Sequence, residues 1–273
     1  MYNIKIFLII TSLVFCTCTP SKKEISENEK EEILAEPQEK WSYVGETGPN
    51  FWSEIEKNSE CNSQFQSPVN INTANAISGS FKIDISDFHY ENVTQVKSIH
   101  NNGHTIEYDF EGDNNALTFD GDKFLLKQFH FHSPSEHTFD GVRYPLELHM
   151  VHYNEESGKY VVFSLMAKQG LPSKTFDFLE QYLPIEVGET KKVNASCHLG
   201  DPFANITQGT LFYYKGSLTT PPCTEKVSWF ILKEPLTLSE EQIKVLKNLM
   251  PLNNYRGVQP LNNRKIEFKR ISN

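Results

Sequence analysis

The residues with the most chemistry to offer are Gln128-Phe129-His130-Phe131-His132, followed closely by Glu147-Leu148-His149-Met150-Val151-His152. Successive side chains of a β-strand point to opposite faces, so His130 and His132 share one face and Phe129 and Phe131 the other. Glu147, His149 and Val151 share a face by the same parity. If the two segments pair as strands, His149 meets the first two imidazoles as a third ligand. Three neutral imidazoles with one position open make a catalytic zinc site, whereas structural zinc is closed by four protein ligands.

A His-x-His pair alone is more often two solvated or hydrogen-bonded side chains than a metal site. The flanking residues shift that balance. A metal-bound imidazole has its second nitrogen held by a carboxylate, amide or carbonyl. Gln128 stands two residues before His130 and Glu147 two before His149, each on its ligand's own face.

The elements that must position these residues read as strands. Phe81, Ile83 and Ile85 alternate with Lys82 and Asp84, as in a half-buried strand, and Ile106, Tyr108 and Phe110 do the same. Tyr160 to Ala167 is almost continuously apolar and suits a strand covered on both faces, and Ser228 to Leu232 is similar. Two helices are expected. Ser173 is placed to cap one carrying Phe176, Leu179 and Leu183 on a stripe. Ser239 and Gln242 form a capping-box pattern ahead of Ile243, Leu246 and Leu249. The class is mainly β with peripheral helices.

From Trp41 to about Ile271 the composition is globular, without repeat or linker, which gives one domain over 41–271. The formal charge of the 273-residue chain is -9, with no basic cluster, which argues against a nucleic-acid surface. Residues 1–18 have the pattern of an export signal: Lys5, then an apolar run from Ile6 to Phe15 that is too short to span a bilayer comfortably. Cys16 and Cys18 end that run, as in bacterial lipoprotein signals, and either one is a candidate for acylation; a plain secretory signal is the alternative. Residues 19–40 are polar and charged, a flexible tether. The expected location is the periplasm or cell envelope, with the chain held to a membrane by its lipid. Cys61, Cys197 and Cys223 remain, so at most one bridge forms and one thiol is left over.

Trp41-Ser-Tyr43, Gln66-Ser-Pro-Val-Asn-Ile71, Asn101-Asn-Gly-His104, the two histidine segments, Ser135-Glu-His-Thr138, Ser217-Leu-Thr-Thr-Pro-Pro222, Asn254-Tyr-Arg256 and Gln259-Pro-Leu-Asn-Asn-Arg264 follow one another along the chain. Each is weak alone. The ordered series closely resembles the α-class carbonic anhydrases from Trp41 to about Phe268. The resemblance implies one domain around a large, twisted, mostly antiparallel sheet with zinc in a conical cleft. It implies reversible hydration of carbon dioxide to bicarbonate and a proton by zinc-activated hydroxide. His130, His132 and His149 then match the zinc ligands, supported by Gln128 and Glu147.

By the same resemblance Thr219 orients the reactive oxygen and Glu136 accepts the Thr219 proton. Val151, Val162, Leu218, Thr220 and Trp229 match the carbon dioxide pocket. His104 matches the proton shuttle, and Tyr43 and Asn102 match positions that order the intervening water. Cys61 and Cys223 match a disulfide of exported members, while Cys197 has no counterpart. Glu107 stands where the family more often has an uncharged amide. Strand parity points it away from His104, so a bulge is expected if both line the cleft. His137 is expected to hydrogen-bond structurally, and His89, His100, His152 and His198 carry no assigned chemistry. The spacing of His130, His132 and Glu136 also resembles cupin metal sites, but the glycines around it do not fit and Thr219-Thr220-Pro221-Pro222 would go unexplained. A non-catalytic binding module on the same scaffold is the other alternative.

Overall fold

Long runs of alternating apolar residues, punctuated by Gly, Asn and Asp turns, make this a chain of strands. The computed structural model describes residues 40–91, 93–197 and 209–271. The expected signal and tether, with Cys16 and Cys18, lie outside the described residues, apart from Lys40; so does His198. Residues Glu39–Asn273 form one compact unit. Its strands are β1 (Asn70–Ile71), β2 (Ile77–Ser78), β3 (Phe88–His89), β4 (Thr94–Asn101), β5 (Ile106–Phe110), β6 (Ala116–Phe119), β7 (Asp122–His132), β8 (Thr138–Phe139), β9 (Leu146–Asn154), β10 (Lys159–Gln169), β11 (Thr190–Cys197), β12 (Thr210–Gly216), β13 (Val227–Leu238) and β14 (Glu267–Arg270).

Twelve of these form one sheet, with β11-β4-β5-β7-β9-β10-β13-β12-β14-β2 as its spine; off it, β6 pairs with β7 and β3 with β6. The pairs β10–β13 and β14–β2 are parallel and the others antiparallel. The sheet is therefore mostly antiparallel, as expected, and the helices are few.

The register of the central strands decides what each face carries. Opposite His130 on β7 lies His149 on β9, and opposite His149 lies Ser164 on β10. One step along, Gln128, Val151, Val162 and Trp229 form a second row across four strands. The other face presents Phe129, Phe131, Leu148, Met150, Phe163, Leu165, Phe230 and Leu232, all buried in the main core. Burying each such side chain contributes about 1.5–3 kcal/mol relative to exposure. A one-residue slip would exchange Phe129 and Phe131 with the histidines, so core packing fixes which face receives the imidazoles.

Two local expectations are corrected. Phe81 and Ile83 are buried and Lys82 and Asp84 exposed, as alternation requires, yet this segment is not a strand and Ile85 opens a 3-10 turn. Side chains serve its backbone: Lys269 Nζ donates to the Ile83 carbonyl, and the Asp84 N–H donates to Asp87 Oδ2. Alternation here records burial without pairing. After Ser173 the chain takes a 3-10 turn, Lys174–Phe176, with no cap from the Ser173 side chain. The α-helix proper is Asp177–Tyr182, and Leu183 is extended ahead of Pro184. The Gln242 amide instead serves the Ser173 backbone through both its oxygen and nitrogen. The Ser239–Gln242 capping box forms as expected at the start of the helix Glu240–Leu249.

Candidate metal centre and active-site cleft

The three histidines meet. Ring nitrogens of His130, His132 and His149 lie within 4.8 Å of one another, two from alternate positions of β7 and one from the facing position of β9. His130 Nδ1 donates to Gln128 Oε1 at 2.8 Å. His132 Nδ1 donates to the Asn254 carbonyl at 2.6 Å, and His149 Nε2 donates to Glu147 Oε1 at 2.7 Å. Each bond fixes a tautomer, leaving His130 Nε2, His132 Nε2 and His149 Nδ1 as the unprotonated nitrogens. Burial, first of all, lowers the pKa of all three, with His132 at about 4, so they are neutral at physiological pH.

That assignment puts lone pairs against lone pairs. His130 Nε2 and His132 Nε2 are 3.1 Å apart with no proton between them. Glu136 Oε2 lies 3.4 Å from His132 Nε2 without a hydrogen-bond partner of its own. Buried acceptors facing one another without a donor are costly, and a cation resolves the conflict. Three neutral imidazoles without thiolate or carboxylate ligands suit zinc in an open site. The residues present fit that ion. His137, Glu147 and His149 also converge, but both imidazoles donate to the one carboxylate, so that group is a bracket.

Glu147 is the hub of the bracket. It accepts from His149, His137, Ser164 Oγ and the backbone N–H of Glu136 and His137. Burial alone would raise its pKa, but the two imidazoles and these donors hold it well below the ordinary carboxylate value. His137 has the structural part expected of it: its Nε2 is 2.7 Å from Tyr214 OH. Glu136 differs: burial raises it to about 7, against the opposing pull of His149. Its Oε1 accepts the Arg256 N–H at 2.8 Å. The Thr219 side chain draws the pKa back down, while Glu136 Oε2 itself has no full hydrogen-bond partner.

Above the histidines opens a cleft of about 260 Å³. Val151, Val162, Leu218, Thr219, Thr220, Trp229, Tyr43, Asn102, His104, Gln128 and the three histidines all border it, while Glu136 and Glu147 sit buried behind. Trp229 donates Nε1–H to the Ser217 carbonyl at 2.9 Å, which locks the apolar wall to the Thr219 loop. That loop is pinned at both ends. Ser217 N donates to Ser67 Oγ, and Cys223 N donates to the Thr220 carbonyl. The Cys61–Cys223 disulfide forms across 162 residues, and Cys197 is left as a buried thiol whose pKa burial pushes to about 12. Gly216 permits the close approach, since a Cβ there would lie 2.2 Å from Ser67 Oγ.

His104 and Glu107 both border the cleft without the expected bulge, because His104 belongs to the turn before β5. The His104 ring stacks on Trp41, centroids 3.6 Å apart. Burial and then Lys40 lower its pKa. Asn102 is largely occupied: its Oδ1 accepts from His104 N and Thr105 N, and its Nδ2 donates to Glu107. The Tyr43 hydroxyl is buried without a partner.

The model of the eukaryotic-type carbonic anhydrase family matches residues 47–270. The chain belongs to the α-carbonic anhydrase family. A Klebsiella pneumoniae carbonic anhydrase is 38% identical over 231 residues, which cover 83% of this chain and 89% of that protein. The solved α-carbonic anhydrase of Thermovibrio ammonificans, in complex with the inhibitor sulfanilamide, superposes with a TM-score of 0.76 at 35% identity, over 83% of this chain and 98% of that one. Dioscorin complexed with ascorbate shares the fold at a TM-score of 0.73 and 27% identity, over 85% of this chain and 98% of that one. The chain thus stands in an enzyme family whose fold also occurs in a protein with another name, and function has to be read from the site.

Sequence reasoning missed several supports of the centre. Asn254 offers His132 a backbone carbonyl, which has no sequence signature. Arg256 holds Glu136 through its backbone N–H and reaches Gln66 Oε1 and the Cys61 carbonyl with its guanidinium. Trp41, Thr105 and Tyr160 also border the cleft.

Proposed function

We propose that this enzyme hydrates carbon dioxide reversibly with a zinc ion held by His130, His132 and His149. The observation that carries the reading is the trio of unprotonated imidazole nitrogens at the floor of a half-apolar cleft. Zinc there supplies Lewis acidity and brings the pKa of a coordinated water towards neutrality, a property for which carbonic anhydrases are themselves the standard example.

The protein's own residues do the rest. Val151, Val162, Leu218 and Trp229 give an apolar molecule a wall to rest on, with Thr220 at its edge. The Thr219 hydroxyl donates its one proton to the Glu136 carboxylate, which when ionised can only accept, and keeps its lone pairs for the attacking oxygen. That hydrogen bond forms fully when the site is loaded, as catalytic hydrogen bonds commonly tighten on binding. Gln128 and Glu147 hold the ligand tautomers. His104, lowered below the usual imidazole pKa by burial and Lys40, takes the proton and releases it to solvent, and Tyr43 and Asn102 order the water between.

Residues 41–271 are the catalytic domain in this reading, preceded by an export signal over 1–18 and a tether over 19–40. Acylation of Cys16 or Cys18 holds the enzyme at the cell envelope; mass spectrometry of the mature N-terminus tests this, and an unmodified terminus contradicts it. For the chemistry, stopped-flow hydration compares the native chain with His149→Ala. The substitution is expected to abolish hydration, and equal near-background rates for both proteins would support a non-catalytic binding module instead.

A further inference from the structure

The turn that carries His104 is fastened to the sheet by a residue outside the zinc and substrate machinery. Asn102 Oδ1 accepts the backbone N–H of His104 and of Thr105, each at 2.8 Å. The other end of the same amide, Nδ2, donates to Glu107 Oε1 at 2.6 Å. Both ends of a planar amide move together, so holding Nδ2 sets where Oδ1 points. Glu107 stands on β5, opposite His100 of β4 and His130 of β7, a rigid place from which to hold a turn. Otherwise His104 is held by its carbonyl, which accepts from Asn254 Nδ2 at 3.0 Å, and by the stack on Trp41.

We propose that Glu107 is a positioning residue for proton transfer: by accepting from Asn102 it fixes the turn from which His104 reaches the cleft. The task needs an acceptor oxygen and not a charge, so glutamine serves in its place. This inference rests on the reading of His104 as the shuttle.

Stopped-flow hydration by the zinc-loaded full chain tests it, with kcat and kcat/KM measured separately for the native enzyme, Glu107→Ala, Glu107→Gln and His104→Ala, with and without added imidazole. Proton release follows conversion of substrate, so impaired transfer shows in kcat more than in kcat/KM. Glu107→Ala is expected to lower kcat about three- to tenfold, part of the roughly hundredfold a placed proton-transfer group contributes, with little change in kcat/KM. Imidazole in solution restores that loss, and Glu107→Gln stays near the native kcat. His104→Ala shows the same pattern more strongly. The proposal alone is overturned if His104→Ala lowers kcat and Glu107→Ala does not. It is equally overturned if Glu107→Ala lowers kcat/KM in step with kcat, which would place its effect at neighbouring His130, or if Glu107→Gln is as impaired as the alanine variant. An unchanged kcat in His104→Ala removes the shuttle reading itself, and this inference with it.

Discussion

At His130 and His132, two lone pairs 3.1 Å apart exist only because each Nδ1 is committed to an acceptor. The residues that hold these imidazoles therefore matter nearly as much as the imidazoles themselves. Replacing Glu147 by Gln puts an amide N–H among five donors that need an acceptor. Zinc affinity is expected to fall about 10–100-fold, measured by competition with a chelator; native affinity would mean that Glu147 does not hold His149. Much of this was legible in the sequence, since strand parity alone put both histidines of one strand with Gln128 and the third with Glu147. The carbonyl of Asn254 was not, because a backbone acceptor is the same atom in every residue type.

A strand or helix can be read from side chains only as far as burial and pairing coincide. They coincide in β7, where Phe129 and Phe131 are buried in the main core and the alternate histidines turn to the cleft. Phe129→Ala is expected to cost about 3–5 kcal/mol in chemical denaturation while kcat/KM per folded molecule stays near native, because the cavity opens on the face away from the cleft. A large loss of kcat/KM would show instead that the strand register depends on this one ring. Burial and pairing part at Phe81–Ile85, where side chains of other elements satisfy the backbone, and alternation misleads. At Ser239 the local signal was sufficient: Ser239→Ala removes a formed cap and should cost about 1 kcal/mol.

Across the whole molecule, the Cys61–Cys223 disulfide ties the Thr219 loop to the N-terminal region over a separation of 162 residues. Its reduction is expected to cost about 3–5 kcal/mol in the loop-entropy model, seen as a lower denaturant midpoint. Acid should destabilise the zinc-free protein as well. His132 and His152 are buried and held at about 4, against 6.5 for a free imidazole. Between these values the unfolded chain binds more protons, so this stability is complete above pH 6.5 and is lost as pH falls through 4, at most about 3 kcal/mol per group. Glu136, raised to about 7, works in the opposite sense: its contribution is present below 4.5 and lost as pH rises through 7. The lowered pKa values of His130 and His149 add to the histidine side, so the urea midpoint is expected to be lower at pH 5 than at pH 7. The most direct measurement of the central claim is hydration activity followed while zinc is removed from the protein and then returned in counted equivalents. Activity is expected to be lost on removal and to recover fully at one zinc per chain, with no recovery in His149→Ala; activity that survives complete metal removal, or returns equally in the variant, would contradict a zinc-dependent reaction at these three histidines.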